Sequence, residues 1–181
     1  MTKIDYKPQL DYNNVLIRPK RSTLSSRSQV NLNRTFRFSD HKLMDGNSGN
    51  AKSVVPDWRG VPIIAANMDS TGTFEIYDVL SKYNIITAMN KFYNIDDYRR
   101  ANNRKIYTDD GETVFSNPLN PDLFMVSTGI SDNDYIKLVH ILNNIECNWI
   151  CIDIANGYIK ALVDFCQKVR KEFPTKRIVA G

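Results

Sequence analysis

The sequence predicts a parallel α/β fold: the first half of a (β/α)8 TIM barrel, about four and a half βα units, with an extended N-terminal arm. Two observations carry this. Apolar runs of strand length end in polar residues and pass into amphipathic helical patterns, and this unit recurs along residues 61–181. A parallel sheet needs such crossovers, and its functional groups gather at the C-terminal ends of its strands. The chain also stops at Gly181, just after one more strand. A whole barrel takes eight units over roughly 250 residues. One incomplete barrel domain over 1–181 is therefore expected, with an arm and polar loop at 1–60 and the βα units at 61–181.

The elements follow in order. Residues 1–38 read as extended and irregular, with Leu10, Val15, Leu16 and Ile17 as apolar anchors. Such an arm packs across a barrel end or reaches a neighbouring subunit. Residues 39–60, with Asp45-Gly46-Asn47-Ser48-Gly49-Asn50, read as a flexible loop. Val61–Ala66 is the first strand, and the helix after it carries Ile76, Val79, Leu80 and Tyr83 as a core-facing stripe. Ile85–Met89 is the second strand, ending at Asn90-Lys91. Asn94 caps a short helix with Asp96 and Asp97 in its first turn. Residues 102–121, with Asp109-Asp110-Gly111 and two prolines, read as an insertion loop. Leu123–Ser127 is the third strand. Ser131 and Asp134 resemble a capping box for a helix striped by Tyr135, Leu138, Val139 and Leu142. Trp149–Asp153 is the fourth strand, and its helix carries Ile159, Leu162, Val163, Cys166 and Val169 until Pro174. Arg177–Ala180 is the fifth.

Composition narrows the function classes. Hydrophobic residues make up 42% of the chain, enough for a core, and 24 basic against 20 acidic residues leave a mild net charge of +4. That charge is spread out, so neither nucleic acid nor a membrane is an expected partner. No apolar run reaches the ~18 residues of a membrane span, and nothing at the N-terminus resembles a signal peptide. Cys147, Cys151 and Cys166 form no CxxC pair and read as small core residues of a cytoplasmic protein. His41 and His140 belong to no metal cluster or Ser-His-Asp set, so no metal site is expected. The basic stretch Arg18, Lys20, Arg21 and Arg27 is either a solvated loop or an anion contact.

The strand ends carry Asn67 and Asp69, Asn90 and Lys91, Ser127 and Thr128, and Asp153 and Asn156. Lys91 and Asp153 are the sharpest pair. A lysine at an apolar barrel mouth neutralises an anionic ligand or transfers protons, and Asp153 orients that lysine or accepts from an amide. The others cap helices equally well. GxGxxG, GxxxxGK[ST] and GxSxG are all absent, which argues against a Rossmann dinucleotide site, a P-loop and a hydrolase elbow.

Four segments then resemble GMP reductase: Leu10-Asp-Tyr-Asn-Asn-Val-Leu-Ile-Arg-Pro-Lys-Arg-Ser22, Ile63-Ile-Ala-Ala-Asn-Met-Asp-Ser-Thr-Gly-Thr-Phe74, Val126-Ser-Thr-Gly129 and Cys151-Ile-Asp-Ile-Ala-Asn-Gly-Tyr158. They stand in that family's order. The sister family, IMP dehydrogenase, usually inserts a CBS-domain pair between the second helix and the third strand. It also usually has Ser-Pro where this chain has Ala66-Asn67. The resemblance implies a tetrameric enzyme reducing GMP to IMP and ammonia with NADPH. It implies catalytic roles for Lys91 and Asp153 near the reacting purine and nicotinamide, a cofactor site lined by Asp153, Ile154 and Ala155, and Met68 near the purine. It implies that Ser26 and Arg27 contact NADPH on the adjacent subunit. Phe92 and Asn90 stand where the family usually has histidines. A ring at 92 can still stack on the cofactor, but imidazole hydrogen bonding is lost. The family's nucleophilic cysteine, phosphate loops and site for a monovalent cation such as K+ lie beyond the fifth strand, so a C-terminal half is the expected partner and the chain alone is expected to be inactive. The alternative is a non-catalytic interaction protein that docks on an intact GMP reductase or IMP dehydrogenase.

Overall fold

The computed structural model describes residues 7–8, 10–38, 55–103, 105–107, 113–116 and 118–181. His41 and the Asp45–Asn50 segment lie outside these residues, as does Asp109-Asp110-Gly111. The chain divides into two compact units, Met1–Asn31 and Leu32–Gly181.

The first unit is extended chain with two single-turn 3-10 helices, Tyr12–Asn14 and Arg27–Gln29. Each is closed by a reciprocal cap. Asp11 pairs with Asn14 in one, and Ser26 with Gln29 in the other. Short polar side chains at these positions satisfy the backbone donors that a single turn leaves open. The apolar anchors of the arm are exposed, Leu16 and Ile17 almost completely.

The second unit holds a five-stranded parallel sheet, Ile64–Ala65, Ile86–Ala88, Phe124–Thr128, Trp149–Ile152 and Arg177–Ala180 in that spatial order. These strands are, in turn, β3, β4, β7, β8 and β9. Sequence order and spatial order agree along the sheet. Helices α1 (Phe74–Leu80), α2 (Ile95–Asn102), α3 (Asp132–Leu142) and α4 (Lys160–Glu172) form the crossovers. This is the expected run of four βα units and a fifth strand, a partial TIM barrel. Burial is deepest at β7, whose five residues are all buried, because it has neighbours on both sides and helices against one face. The observed first strand is shorter than Val61–Ala66 and half open, because β3 is paired on one side only.

Two elements correct the loop readings. Trp58–Gly60, inside the 39–60 stretch, is a strand (β2) paired antiparallel with Arg34–Phe36 (β1). Trp58 is buried against Trp149 in an edge-to-face contact, an anchor that loop composition concealed. Within 102–121, Lys105–Tyr107 (β5) and Thr113–Ser116 (β6) pair antiparallel instead of forming a structureless insertion. Their β-branched and aromatic residues flank an Asp-Gly dipeptide, which is a hairpin signal.

The helix faces also shift. On α1 the buried residues are Phe74 and Tyr77, while Val79 is 53% exposed and Tyr83, in a following 3-10 turn, is 64% exposed. Two aromatic rings outweigh the aliphatic stripe. Phe74 meets Tyr93 and Tyr98, and Tyr77 meets Phe124. On α4 the buried set is Leu162, Phe165 and Val169, with Ile159 and Val163 exposed. On α3, Leu138 and Leu142 are buried as expected, together with Ile141. The Asn94 and Ser131 caps both form as reciprocal boxes.

At the N-terminal ends of the strands, Arg177 is only 2% exposed. Its guanidinium donates to the Asp122 carboxylate at 2.7 Å and to the carbonyls of Pro56 and Asp57 at 3.1 and 2.7 Å. It also lies over the Trp149 ring, 5.0 Å from its centroid. The Asp122 carbonyl accepts from both indoles, Trp58 at 3.0 Å and Trp149 at 3.1 Å. A buried guanidinium is tolerable only when its donors are spent in this way.

Candidate active site at the strand mouth

The C-terminal strand ends converge on one mouth. The Asn67 side-chain amide, after β3, donates to the Asp153 carboxylate, after β8, at 3.1 Å. The Asp153 backbone N–H donates to the Thr128 carbonyl at 3.0 Å, which fixes where that carboxylate starts. After β4, the Asn90 amide donates to Asp69 at 2.6 Å. The Asn90 amide oxygen accepts from the Phe92 N–H at 3.0 Å, and its carbonyl from the Tyr93 N–H at 3.2 Å. Asn90 thus builds the turn that presents Lys91 and Phe92, as short amide side chains do.

Gly72 lets these two loops touch. Its carbonyl accepts from the Asn90 N–H at 2.8 Å. A Cβ there would sit 2.7 Å from the Ala88 carbonyl oxygen and 2.9 Å from the Asn90 nitrogen, both rigid backbone. Only glycine permits that approach.

The expected site residues are therefore partly gathered. Asp153 is half-buried and takes its hydrogen bond from an amide, that of Asn67. No ion pair joins it to Lys91. The Lys91 ammonium instead lies 5.7 Å from the Phe92 ring centroid, and that ring is 75% exposed. Ile154 is half-buried beside the core and Ala155 exposed, while the Ile154 N–H donates to the Gly181 carbonyl at 2.9 Å. Met68 is 61% exposed, and its carbonyl accepts from the Thr71 and Gly72 amides. Ser26 and Arg27 belong to the N-terminal unit, where the Ser26 hydroxyl accepts from the Ser28 N–H and caps the turn that Arg27 begins. Asn67 was legible as a strand-end polar residue, but its partner was not. Lys137 of α3, whose ammonium donates to the Lys91 carbonyl at 2.6 Å, carried no sequence signal.

The thiols do not offer a nucleophile. Burial pushes the Cys147 thiol up to about 12, against backbone hydrogen bonds that pull the other way. Cys151 is raised by burial despite the neighbouring Ser127 hydroxyl, and Cys166 is raised by burial. Reactive cysteines need the opposite, a stabilised thiolate. Among the described residues, no group of three or more His, Cys, Asp or Glu is placed to hold a metal ion, and no helix is long and apolar enough to cross a membrane.

No family model matches the chain. Curated relatives do. A GMP reductase of Photobacterium profundum is 46% identical over 99% of this chain and 45% of its own length. One from Ascaris suum is 40% identical over the whole chain and 45% of its own length. GMP reductase 2 of Bos taurus is 39% identical with the same coverage. Among solved structures, an inosine 5' monophosphate dehydrogenase from Legionella pneumophila superposes with a TM-score of 0.54 at 18% identity, over 68% of this chain and 33% of that one, a likeness of fold. With this identity sustained from end to end, the chain belongs to the GMP reductase family and spans about 45% of the length of the curated relatives it matches.

Proposed function

We propose that these residues form the N-terminal half of an NADPH-dependent GMP reductase barrel, which converts GMP to IMP and ammonia. The observation that carries this reading is the sustained identity to GMP reductases over 99–100% of the chain. NADPH, when bound, supplies the hydride. The exposed Phe92 ring beside the Lys91 ammonium is a flat apolar surface next to a cation, which fits a nicotinamide nucleotide. Lys91 stands at the mouth, where it can neutralise an anionic ligand or move a proton. Asp153, aimed by Asn67, is the acceptor for a donor on the reacting groups. Ile154 and Ala155 extend that wall, and Met68 packs against the purine. Ser26 and Arg27 serve the cofactor of an adjacent subunit in a cytoplasmic tetramer.

With all three thiols raised by burial, the nucleophile and any monovalent cation site belong to the other half of the barrel. The 181 residues alone are inactive on this reading. The test follows NADPH absorbance with GMP, for the chain alone and for the chain combined with the C-terminal half of a relative. Turnover only in the combination supports the proposal. A soluble, folded combination without turnover sinks it.

A further inference from the structure

The turn that presents Lys91 is held from two sides. Its own Asn90 side chain closes it from within, accepting from the Phe92 N–H. The outside bond comes from a different βα unit. Lys137, on the second turn of α3, sends its ammonium to the Lys91 carbonyl at 2.6 Å. Lys137 is half-buried, and the partial loss of water pushes its ammonium below its ordinary pKa, with Asp134 of α3 and Asp97 of α2 opposing that push. A lysine in such a place gives up hydration and rotamer freedom, which a charge-assisted bond to one carbonyl offsets. Among the described residues, no other hydrogen bond joins the Lys91 peptide plane to a neighbouring unit.

We propose that Lys137 is a positioning residue for the Lys91–Phe92 turn: by clamping the Lys91 carbonyl from α3, it sets the direction in which both side chains leave the backbone. The role of Lys91 rests on the reductase reading; the clamp itself does not. The peptide plane between 91 and 92 is rigid, so holding its oxygen restrains the orientation of the whole plane, and each flanking Cα–Cβ vector is then one backbone dihedral away from it. The β4 turn is thereby tied to the position of the unit built on β7.

The test uses the chain as it stands. Amide hydrogen exchange is read at Phe92 and Tyr93, and the acetylation rate of the Lys91 amine is read by mass spectrometry. Lys137→Met keeps the length of the stem and removes the donor. Exchange at Phe92 and Tyr93 should rise about tenfold, the expectation for losing one bond to a charged group. The acetylation rate of Lys91 should change with it. Amides of Leu138–Leu142 should keep their protection, and Lys137→Arg should restore both readouts. Unchanged exchange at Phe92 and Tyr93 in a folded Lys137→Met protein overturns the clamp. So does a general loss of protection along α3, which would make Lys137 a helix-stability residue only, or a failure of Lys137→Arg to restore. Failure of the reductase reading would show separately, as absent turnover in the completed barrel with these exchange results intact.

Discussion

Asn67 and Asp153 are hydrogen bonded at 3.1 Å although β4 and β7 lie between their strands. On a flat sheet, three inter-strand steps of about 4.8 Å would part them by about 14 Å. The sheet must therefore curl inward at its C-terminal edge, and the bond measures that curl. Asn67→Ala removes it. The expected cost is about 1 kcal/mol of stability, read by urea titration. In the completed enzyme, turnover should fall on the order of tenfold as the carboxylate loses its aim. Full turnover in Asn67→Ala would mean that Asp153 is held by something else.

Gly72 should tolerate no side chain. Gly72→Ala puts a methyl against the Ala88 carbonyl and the Asn90 nitrogen. Neither can give way without moving β4 or its turn. A loss of about 2 kcal/mol is expected, with a lowered thermal midpoint. Altered exchange at Phe92 would show that the displacement has travelled along the Asn90 bonds.

Arg177→Met should be the most damaging single change at the opposite end of the sheet. The methionine fills much of the volume but takes the cation from the carbonyls of Pro56 and Asp57 and leaves the Asp122 carboxylate to the Asn148 amide. The expected cost is about 3 kcal/mol in a denaturant titration, reduced from the fully buried case because Asp122 is partly exposed. Arg177→Lys should recover only part of it, since an ammonium cannot match the guanidinium fork.

Alkaline pH should unfold the protein early. Burial raises the Tyr98 hydroxyl above 10.0 and carries the Cys147 thiol from 9.0 to about 12. Both groups keep their protons longer in the folded state. As pH rises, the unfolded chain ionises first, so stability falls. For Cys147 this contribution is whole below pH 9.0 and is lost as pH climbs to about 12. Each such group steepens the limb by up to about 1.4 kcal/mol per pH unit. Denaturant midpoints taken from neutral pH upward should fall along that limb, and Cys147→Ala should flatten part of it. A flat profile would mean that neither group is shielded.

What the sequence conceals and what it reveals divides along physical lines. β9 falls at Arg177–Ala180 as read, and the Asn94 and Ser131 caps form where their spacing puts them, because strand runs and caps are local. The α1 face was misread because its residues satisfy two stripes at helical spacing. Only the neighbouring rings of Tyr93, Tyr98 and Phe124 choose between them. The β5–β6 hairpin was legible in its Asp-Gly signal but hidden by the polar residues around it. At the site, Lys91 and Asp153 stood out by residue type, yet Asp153 turns to Asn67 and Lys91 to Phe92. Which side chains span a mouth depends on sheet curl, and no local pattern encodes it.

The Arg177 clamp also bears on how the chain is made. Its bonds to Pro56 and Asp57 join residues 121 and 120 positions apart, and its partner Asp122 receives the indole of Trp58 from 64 positions back. Synthesis is vectorial, and contacts of such separation close only when both ends exist. A nascent chain that has not yet released Arg177 from the ribosomal tunnel carries Asp122 and both tryptophans without the cation that unites them. The sheet can be assembled strand by strand during translation, but its floor is locked only once β9 has left the tunnel.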